Sequence, residues 1–358
     1  MDNIYNQTMT LLPEFAVFIT LSLALLLDKV FGEATRFHYL VGFGWLANKL
    51  EAKLNRSSDL SIKSAFNRSF NSKLLGTFAW CLLVLPLPLI YWYCFNDLIW
   101  YWQICLDATV LYLAIGLNSL YQHAMQIYQP LQAGDMEQAR RFTGYIVSRQ
   151  TNELSEQEIS RATVESMLEN GHDSVIATMI YYIIGGAPLV IIHRLANTLD
   201  AMWGYKNPRF NDFGYASARL DDLLGFISGK CCTLLYAIQG IKHRRVFNSL
   251  RNAYKQGNKY KSHNGGWVMA AGATVMGIRL GGSALYHGKK INSVALGLIE
   301  DVDDNSEVMN NAEAINNPEP IHNAATVDDI PLSLTLVTRA SLLLLACVLT
   351  FSIGMKWL

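Results

Sequence analysis

The stretch LLGTFAWCLLVLPLPLIYWYCF at residues 74–95, followed by ND and then by LIWYWQICLDATVLYLAIGLNSL at residues 98–120, decides the fold class of this chain. Each run is apolar and long enough to cross a bilayer, for which a helix needs about 20 residues. Because only Asn96 and Asp97 separate the two runs, they predict a helical hairpin. The prolines at positions 86 and 88 are tolerated in a spanning helix when neighbouring groups satisfy the freed carbonyls.

The composition agrees with a membrane protein. Hydrophobic residues make up 51% of the 358 residues and charged residues only 16%, whereas an ordinary soluble domain has about 25% charged residues. Lys and Arg together number 29, as do Asp and Glu, so the formal net charge is zero. A protein that binds nucleic acid carries a basic excess, so no nucleic-acid partner is expected.

Further apolar runs extend this interpretation over the rest of the chain. Residues 11–27 predict a retained helix, and residues 332–358 predict a C-terminal transmembrane helix. Weaker, interrupted runs at residues 175–192, 223–238 and 267–280 either cross the membrane or re-enter it, and loop charges leave both options open. The sequence therefore predicts an all-α, polytopic integral membrane protein with about four to six spanning or re-entrant helices and a polar helical centre.

Two basic segments set the orientation. Residues 47–73 contain six Lys or Arg residues against two acids, and residues 241–261 contain seven and no acid. Because loops rich in Lys and Arg stay on the cytoplasmic side, both segments are expected in the cytoplasm.

Residues 300–329 differ from the rest of the chain. They are rich in Asp, Glu and Asn and contain no Lys or Arg, a composition that is typical of disorder. The predicted organisation is a membrane domain at 1–290, a disordered acidic insert at 291–331 and the C-terminal transmembrane helix at 332–358.

The polar centre contains the sequence signature of a helix N-terminus. Ser155 and Glu158 form a capping box, and the helix is expected to run to Asn170 and to stop at Gly171.

Charged side chains recur along this helix. Arg161, Glu165 and Glu169 lie four residues apart and share one face, and Asp173 follows. One interpretation is a solvated stripe with an Arg–Glu pair. The other is a carboxylate cluster that binds Mg²⁺ at the membrane surface.

A second charged stretch lies between two apolar runs, at residues 197–222. Ionisable groups at a membrane boundary are costly unless they are paired or used. Carboxylates beside cations suit nucleotide chemistry, although a capped, salt-bridged loop would also explain them. The charged residues are Asp200, Lys206, Arg209, Arg219, Asp221 and Asp222, with Asn197 beside them.

Several strings occur in one order over residues 20–290. They are Asp28-x3-Gly32-Glu33 with His38; Arg161-Ala162-x2-Glu165 with Glu169-Asn170 and Asp173; Gly185-Gly186-Ala187-Pro188; Asn197-Thr198-Leu199-Asp200 and Gly204-Tyr205; Phe213-Gly214 and Ala218-Arg219-Leu220-Asp221-Asp222; and Gly277-x-Arg279-Leu280-Gly281-Gly282 with Tyr286 and Gly288. In these strings the chain resembles the CbiB/CobD family of cobalamin-biosynthesis membrane proteins, the adenosylcobinamide-phosphate synthases.

The resemblance implies a ligase that forms a C–N amide bond. Its substrates would be adenosylcobyric acid, a corrinoid, and aminopropanol or its phosphate. ATP would drive the reaction with Mg²⁺, because a carboxylate does not condense with an amine in water without activation.

The resemblance also suggests roles for the charged residues. Asp200, Arg219, Asp221 and Asp222 are the expected catalytic residues. Asn197, Lys206, Arg209, Arg161 and Arg279 are expected to bind substrate or nucleotide. Glu165, Glu169, Asp173, Asp221 and Asp222 are the expected metal ligands.

Such an enzyme is expected in the bacterial inner membrane with its active face toward the cytoplasm, where a soluble enzyme of the pathway could dock on the basic segments. The alternative is a non-enzymatic regulatory membrane protein similar to AmpE. A transporter is a third hypothesis, but no convincing internal repeat supports it.

Overall fold

The computed structural model describes residues 15–32, 39–55, 65–286, 289–298 and 323–356. These residues are overwhelmingly helical, which confirms the predicted all-α class. The helices before the polar centre are α1 (Ala16–Phe31), α2 (Tyr39–Leu54), α3 (Ala65–Val84), α4 (Pro86–Phe95), α5 (Trp100–Ala114), α6 (Leu117–Gln132) and α7 (Met136–Ile146). The later helices are α8 (Glu156–Gly171), α9 (Ala177–Trp203), α10 (Tyr215–Ile238), α11 (Val246–Asn252), α12 (His263–Met276) and α13 (Asp329–Lys356).

Five helical segments of the described residues are long and apolar enough to cross a membrane, which agrees with the predicted polytopic class. The predicted hairpin is present as α4 and α5. The run at 267–280 falls on α12, which is not among these segments. The five are Ser69–Phe95, Trp100–Gln132, Glu156–Trp203, Tyr215–His243 and Asp329–Lys356.

The chain divides into two compact units that interleave along the sequence. Unit 1 comprises Met1–Ser119, Asp173–Ser228 and Ser341–Leu358, and unit 2 comprises Leu120–His172 and Gly229–Ala340.

Helix α9 is the centre of unit 1 and packs against α1, α2, α3, α4 and α5. It is interrupted at Gly185 and Gly186, as the glycines suggested. Gly186 has a φ of 65°, a value that favours glycine because it has no Cβ. Pro188 then lies in the first turn of the second segment, where its missing N–H costs nothing. At the other end of α9, Trp203 is buried against Phe213, with ring centres 5.1 Å apart.

A buried carboxylate joins three helices of unit 1. Asp107 on α5 accepts hydrogen bonds from Gln103 Nε2 at 2.8 Å, from the Tyr182 hydroxyl of α9 at 2.9 Å, and from the Tyr91 hydroxyl of α4. These contacts give the Asp107 side chain polar partners inside otherwise apolar helices.

Helix α12 is the centre of unit 2 and contacts α8, α11 and both strands of a hairpin. It is almost entirely buried. Small residues allow this packing: a Cβ on Gly272 would lie 2.8 Å from both methyl carbons of Leu168.

The hairpin consists of β1 (Arg279–Tyr286) and β2 (Lys289–Gly297), which pair antiparallel with an irregularity at Gly281. This element was not predicted. Residues 291–297 were predicted to belong to the disordered insert but form most of β2. Residues 299–322, most of the acidic segment, lie outside the described residues, as do Glu33 and His38 of the matched strings.

The predicted start of α8 is confirmed, since Ser155 and Glu158 form both bonds of the capping box. The α-helix ends at Gly171, as predicted, but not through a left-handed glycine cap, since the capping residue His172 is right-handed. The chain continues through the wide helical turn His172–Ile176 into α9. Gly171 is explained by packing instead, because a Cβ there would lie 2.5 Å from a methyl carbon of Val337.

Candidate functional site

The loop of residues 204–214 in unit 1 brings the end of α9 beside the start of α10. Glycines make this return tight. A Cβ on Gly204 would lie 2.0 Å from Oδ1 of Asp200, and one on Gly214 would lie 1.8 Å from the carbonyl oxygen of Trp203. Larger residues would force the loop away from α9. The two helix ends that carry the predicted catalytic aspartates are therefore held together by backbone packing.

Two charged contacts fix the outer side of this loop. Arg209 donates to Glu51 of α2 from Nε at 3.0 Å and from Nη2 at 2.6 Å, a two-point contact. Asp212 accepts from Ser69 Oγ of α3 at 2.8 Å, and Nζ of Lys73 lies 3.8 Å away. Arg209 was predicted to bind substrate or nucleotide, and in the structure its guanidinium already has a carboxylate partner.

The contact between Glu51 and Arg209 changes the pKa of both side chains. Burial alone raises the pKa of Glu51, but hydrogen bonds from Arg209 and Asn55 and the guanidinium charge outweigh burial and leave this pKa below its usual value. The same contact raises the pKa of Arg209. Both groups are therefore fully charged at neutral pH.

Four aspartates gather where α9 and α10 meet the turn before α9. The charge on Asp200 interacts with those on Asp173 and Asp222, and the charge on Asp221 interacts with all three. Asn197 Nδ2 donates to Oδ1 of Asp221 at 3.4 Å. The structure thus brings five predicted site residues together, and we call Asp173, Asn197, Asp200, Asp221 and Asp222 the acidic cluster.

A histidine that was not predicted supports the acidic cluster. His193 of α9 is buried, its Nε2 lies 2.9 Å from the carbonyl oxygen of Asp173, and its ring stacks on Tyr181 with centres 5.0 Å apart. These contacts hold the wide turn that carries Asp173 against α9. No spacing pattern signals this role, because 20 residues separate the two partners.

The acidic cluster contains carboxylates, the side chains that magnesium prefers. Among the residues that the structure describes, no three His, Cys, Asp or Glu side chains are grouped so that they could hold a metal ion by themselves. Magnesium in nucleotide sites commonly uses one or two carboxylates and takes its other ligands from phosphates and water. A cation would relieve the repulsion between the clustered carboxylates. The Mg²⁺ site stays a prediction.

The remaining predicted cations of unit 1 lie at the surface. Arg219, in the second turn of α10, is exposed, and its guanidinium carbon is 5.5 Å from the ring centre of Tyr215. Lys206 is exposed in the loop.

The predicted acids of α8 belong to unit 2 and have partners there. Glu165 is buried rather than solvated, forms an ion pair with Arg149, and accepts from the backbone N–H of Gly281 at 2.8 Å. Oε1 of Glu169 would lie 2.4 Å from a Cβ on Gly265, at the start of α12. The expected pairing of Glu165 with Arg161 is replaced by an arginine 16 residues earlier in the chain.

Arg161 and Arg279, both predicted to bind substrate or nucleotide, line one cavity of about 240 Å³ in unit 2. Gly281, Gly282 and Ser283 form another wall of this cavity. Nη2 of Arg161 donates to the Ser283 carbonyl oxygen at 3.0 Å, while its buried Nε has no acceptor in the part of the chain that the structure describes. Two guanidinium groups beside glycine backbone suit a phosphate group.

Comparisons with known proteins agree with the resemblance. The family model described as CobD/Cbib protein matches residues 21–312. Among similar proteins, the cobalamin biosynthesis protein CobD of Stutzerimonas stutzeri is 45% identical over 276 residues, which is 76% of this chain and 85% of the relative. The protein of that name from Chromobacterium violaceum is 42% identical over 269 residues, 75% of this chain and 83% of the relative. No solved structure shows a significant match.

The family model covers most of the chain, and the first of these relatives is similar along most of its own length. The matched region includes the acidic cluster and both arginines of the Arg161–Arg279 cavity. The chain therefore belongs to the CobD/Cbib family.

Proposed function

We propose that this protein is the amide ligase of cobalamin biosynthesis that joins aminopropanol, or its phosphate, to a propionate of adenosylcobyric acid at the expense of ATP. The relatives are named as cobalamin biosynthesis proteins, which supports the pathway. The observation that carries the reaction type is the acidic cluster, because separate parts of the chain converge to build it.

The chemistry requires activation of the propionate. In the proposed reaction a propionate oxygen receives the γ-phosphoryl group of ATP, which forms an acyl phosphate and releases ADP. The amine nitrogen attacks the acyl carbon, loses a proton, and expels inorganic phosphate as the C–N bond forms. The first step brings the propionate and the triphosphate together and the second releases phosphate, so the site must neutralise phosphate charge.

The residues of unit 1 are proposed to have different roles according to their side chains. Asp221 and Asp222 would hold Mg²⁺, which when bound supplies positive charge to the phosphates. Asp200 would accept the proton of the amine or orient it, with Asn197 fixing the neighbouring carboxylate of Asp221. Arg219 and Lys206 are exposed and can reach a phosphate from solvent.

The residues of unit 2 suit phosphate recognition. The Arg161–Arg279 cavity is too small for a corrinoid but can admit a phosphate group. It is proposed to bind a phosphate of the nucleotide or of the amine substrate. Arg209 contributes indirectly, because its pair with Glu51 positions the loop between Asp200 and Asp221.

The decisive experiment replaces one cluster carboxylate. Asp221→Asn should abolish growth of a synthase-deleted bacterium fed with cobyric acid, and amide formation by the purified protein, while expression and membrane insertion stay normal. Asp97→Asn, at an exposed turn between α4 and α5, is the matched control and should support growth.

Unchanged turnover by Asp221→Asn would remove the catalytic role of the acidic cluster. Failure of the unaltered chain to support growth, despite normal insertion, would favour the regulatory alternative similar to AmpE.

A further inference from the structure

A groove in unit 1 is lined by none of the residues of the acidic cluster. It has a volume of about 330 Å³ and is walled by α4, α5 and α9, with Tyr39 of α2 at one side. Leu87 and Ile90 of α4 and Leu113 of α5 line it and are 51%, 55% and 43% exposed. Helices α4, α5 and α9 belong to segments that are long and apolar enough to cross a membrane, where exposed apolar side chains would contact lipid.

One charged residue lines this apolar groove. Arg194 of α9 lies beside Val190 and Leu195 in the lining. Its Nε is buried, and no acceptor lies within hydrogen-bonding distance in the part of the chain that the structure describes. Guanidinium groups inside spanning segments are costly and usually pair with an anion or a carbonyl oxygen. A bound anion could satisfy this Nε–H.

The two features together define the ligand. An apolar groove open to lipid suits an acyl chain, and a guanidinium beside it suits a phosphate oxygen. A molecule that carries both parts covalently is an anionic phospholipid. Neutral zwitterionic lipids offer the same acyl chain, but their own cationic headgroup competes with Arg194 for the phosphate.

We infer that the Arg194 groove is a binding site for one anionic phospholipid, with an acyl chain between α4, α5 and α9 and the headgroup phosphate on Arg194. This inference does not rest on the proposed ligase reaction, because none of the groove residues is assigned to catalysis. The lipid would fill the gap between the helices and neutralise the buried charge.

The test is a lipid titration of the full-length protein in detergent, followed by native mass spectrometry. The probes are phosphatidylglycerol and phosphatidylcholine with identical acyl chains. The unaltered protein should bind one phosphatidylglycerol about tenfold more tightly than phosphatidylcholine, the ratio expected for one charge-assisted hydrogen bond. Arg194→Gln should remove this preference, and Arg194→Lys should keep part of it.

Two further variants test the contribution of the Arg194 charge and that of the apolar groove independently. Arg141→Gln removes an arginine that is exposed in unit 2, and it should keep the full preference. Leu113→Trp fills the groove from an exposed position and should weaken the binding of both lipids severalfold. This second variant also tests the site if Arg194→Gln does not fold.

Equal binding of the two lipids by the unaltered protein, or an undiminished preference in Arg194→Gln, would overturn the inference. Free glycerol phosphate should not displace the lipid. Displacement at similar concentrations would show that Arg194 binds a small anion and that the groove plays no part.

Discussion

Gly204 packs directly against Asp200, the carboxylate proposed to be catalytic. A Cβ at this position would lie 2.0 Å from Oδ1 and 2.8 Å from the backbone oxygen of Asp200. Gly204→Ala should therefore displace the Asp200 side chain and lower amide formation by about tenfold or more, since small misplacements at a reaction centre have large effects on rate. The measurement is turnover by the purified protein.

Gly42→Ala is the control for this change, because no atom lies within 4 Å of its added Cβ. Its turnover should equal that of the unaltered protein. Full activity of Gly204→Ala would show that Asp200 need not stay where the structure places it.

Glu51 gives the molecule a defined response to acid. Because the pKa of Glu51 is lowered in the folded state from its usual 4.5, the pair with Arg209 stabilises the fold fully above that pH and is lost as the pH falls through the lowered value. The melting temperature of the unaltered protein should fall on acidification below about pH 4.5, and that of Glu51→Gln should fall less.

Glu137→Gln is the control for the acid response, because Glu137 is an exposed carboxylate of unit 2. Its melting curve should follow that of the unaltered protein at each pH. An identical acid response in Glu51→Gln would mean that the pair does not contribute to stability.

At the scale of single residues, the members of the acidic cluster could be predicted from the sequence, but the contacts of the predicted site residues could not. Asp200 and Asp221 could be predicted as site residues because carboxylates and cations next to apolar runs are costly unless they are paired or used. The partner of Arg209 could not be chosen, because Glu51 lies 158 residues away. Spacing along one helix also suggested Arg161 as the partner of Glu165, whereas the folded chain supplies Arg149.

At the scale of helices, the Asp107 network ties α5 to α4 and α9. Asp107→Ala would remove the carboxylate that accepts from the Tyr91 and Tyr182 hydroxyls and from the Gln103 amide, which also donates to the Tyr91 hydroxyl at 3.2 Å. Each buried donor that loses its partner costs about 1–3 kcal/mol. The variant should therefore unfold at a lower temperature in detergent, measured by intrinsic fluorescence.

Asp97→Ala, in the exposed turn of the same hairpin, should unfold at the temperature of the unaltered protein. An equal melting temperature for Asp107→Ala would show that other groups satisfy the three donors.

Helix positions were largely predictable, and their ends were less so. The apolar runs located α4, α5 and α13, since a spanning helix needs a long unbroken apolar stretch. The capping box located the start of α8. The end of α8 at Gly171 was also predicted, but Gly171 packs against Val337 and the chain stays helical beyond it. The β-hairpin was missed because its residues adjoin a highly polar segment.

At the scale of the whole molecule, the sequence predicted a membrane protein but not its two interleaved units. Unit 1 gathers residues before 120, between 173 and 228, and after 340. Such a division depends on long-range packing, which the composition of each segment does not encode. The proposed reaction also requires that ATP and the corrinoid reach the loop of residues 204–214 from the cytoplasm.

The sidedness of this loop has a direct test. Asn211 is exposed in the loop, and Asn211→Cys can be placed in a variant whose native cysteines are replaced by serine. A membrane-impermeant maleimide should label it in inverted vesicles and not in intact spheroplasts. Labelling only from the periplasmic side would contradict a cytoplasmic active face.

The Asp107 network also bears on how the chain enters the membrane. An aspartate near the middle of a single helix opposes insertion by the translocon by about 2.5–3.5 kcal/mol. Tyr91 lies only 16 residues before Asp107, so it leaves the ribosome first and can accompany the carboxylate into the bilayer. Helices α4 and α5 should accordingly integrate during biogenesis as one cooperative pair, and α5 placed alone behind a reporter should insert poorly.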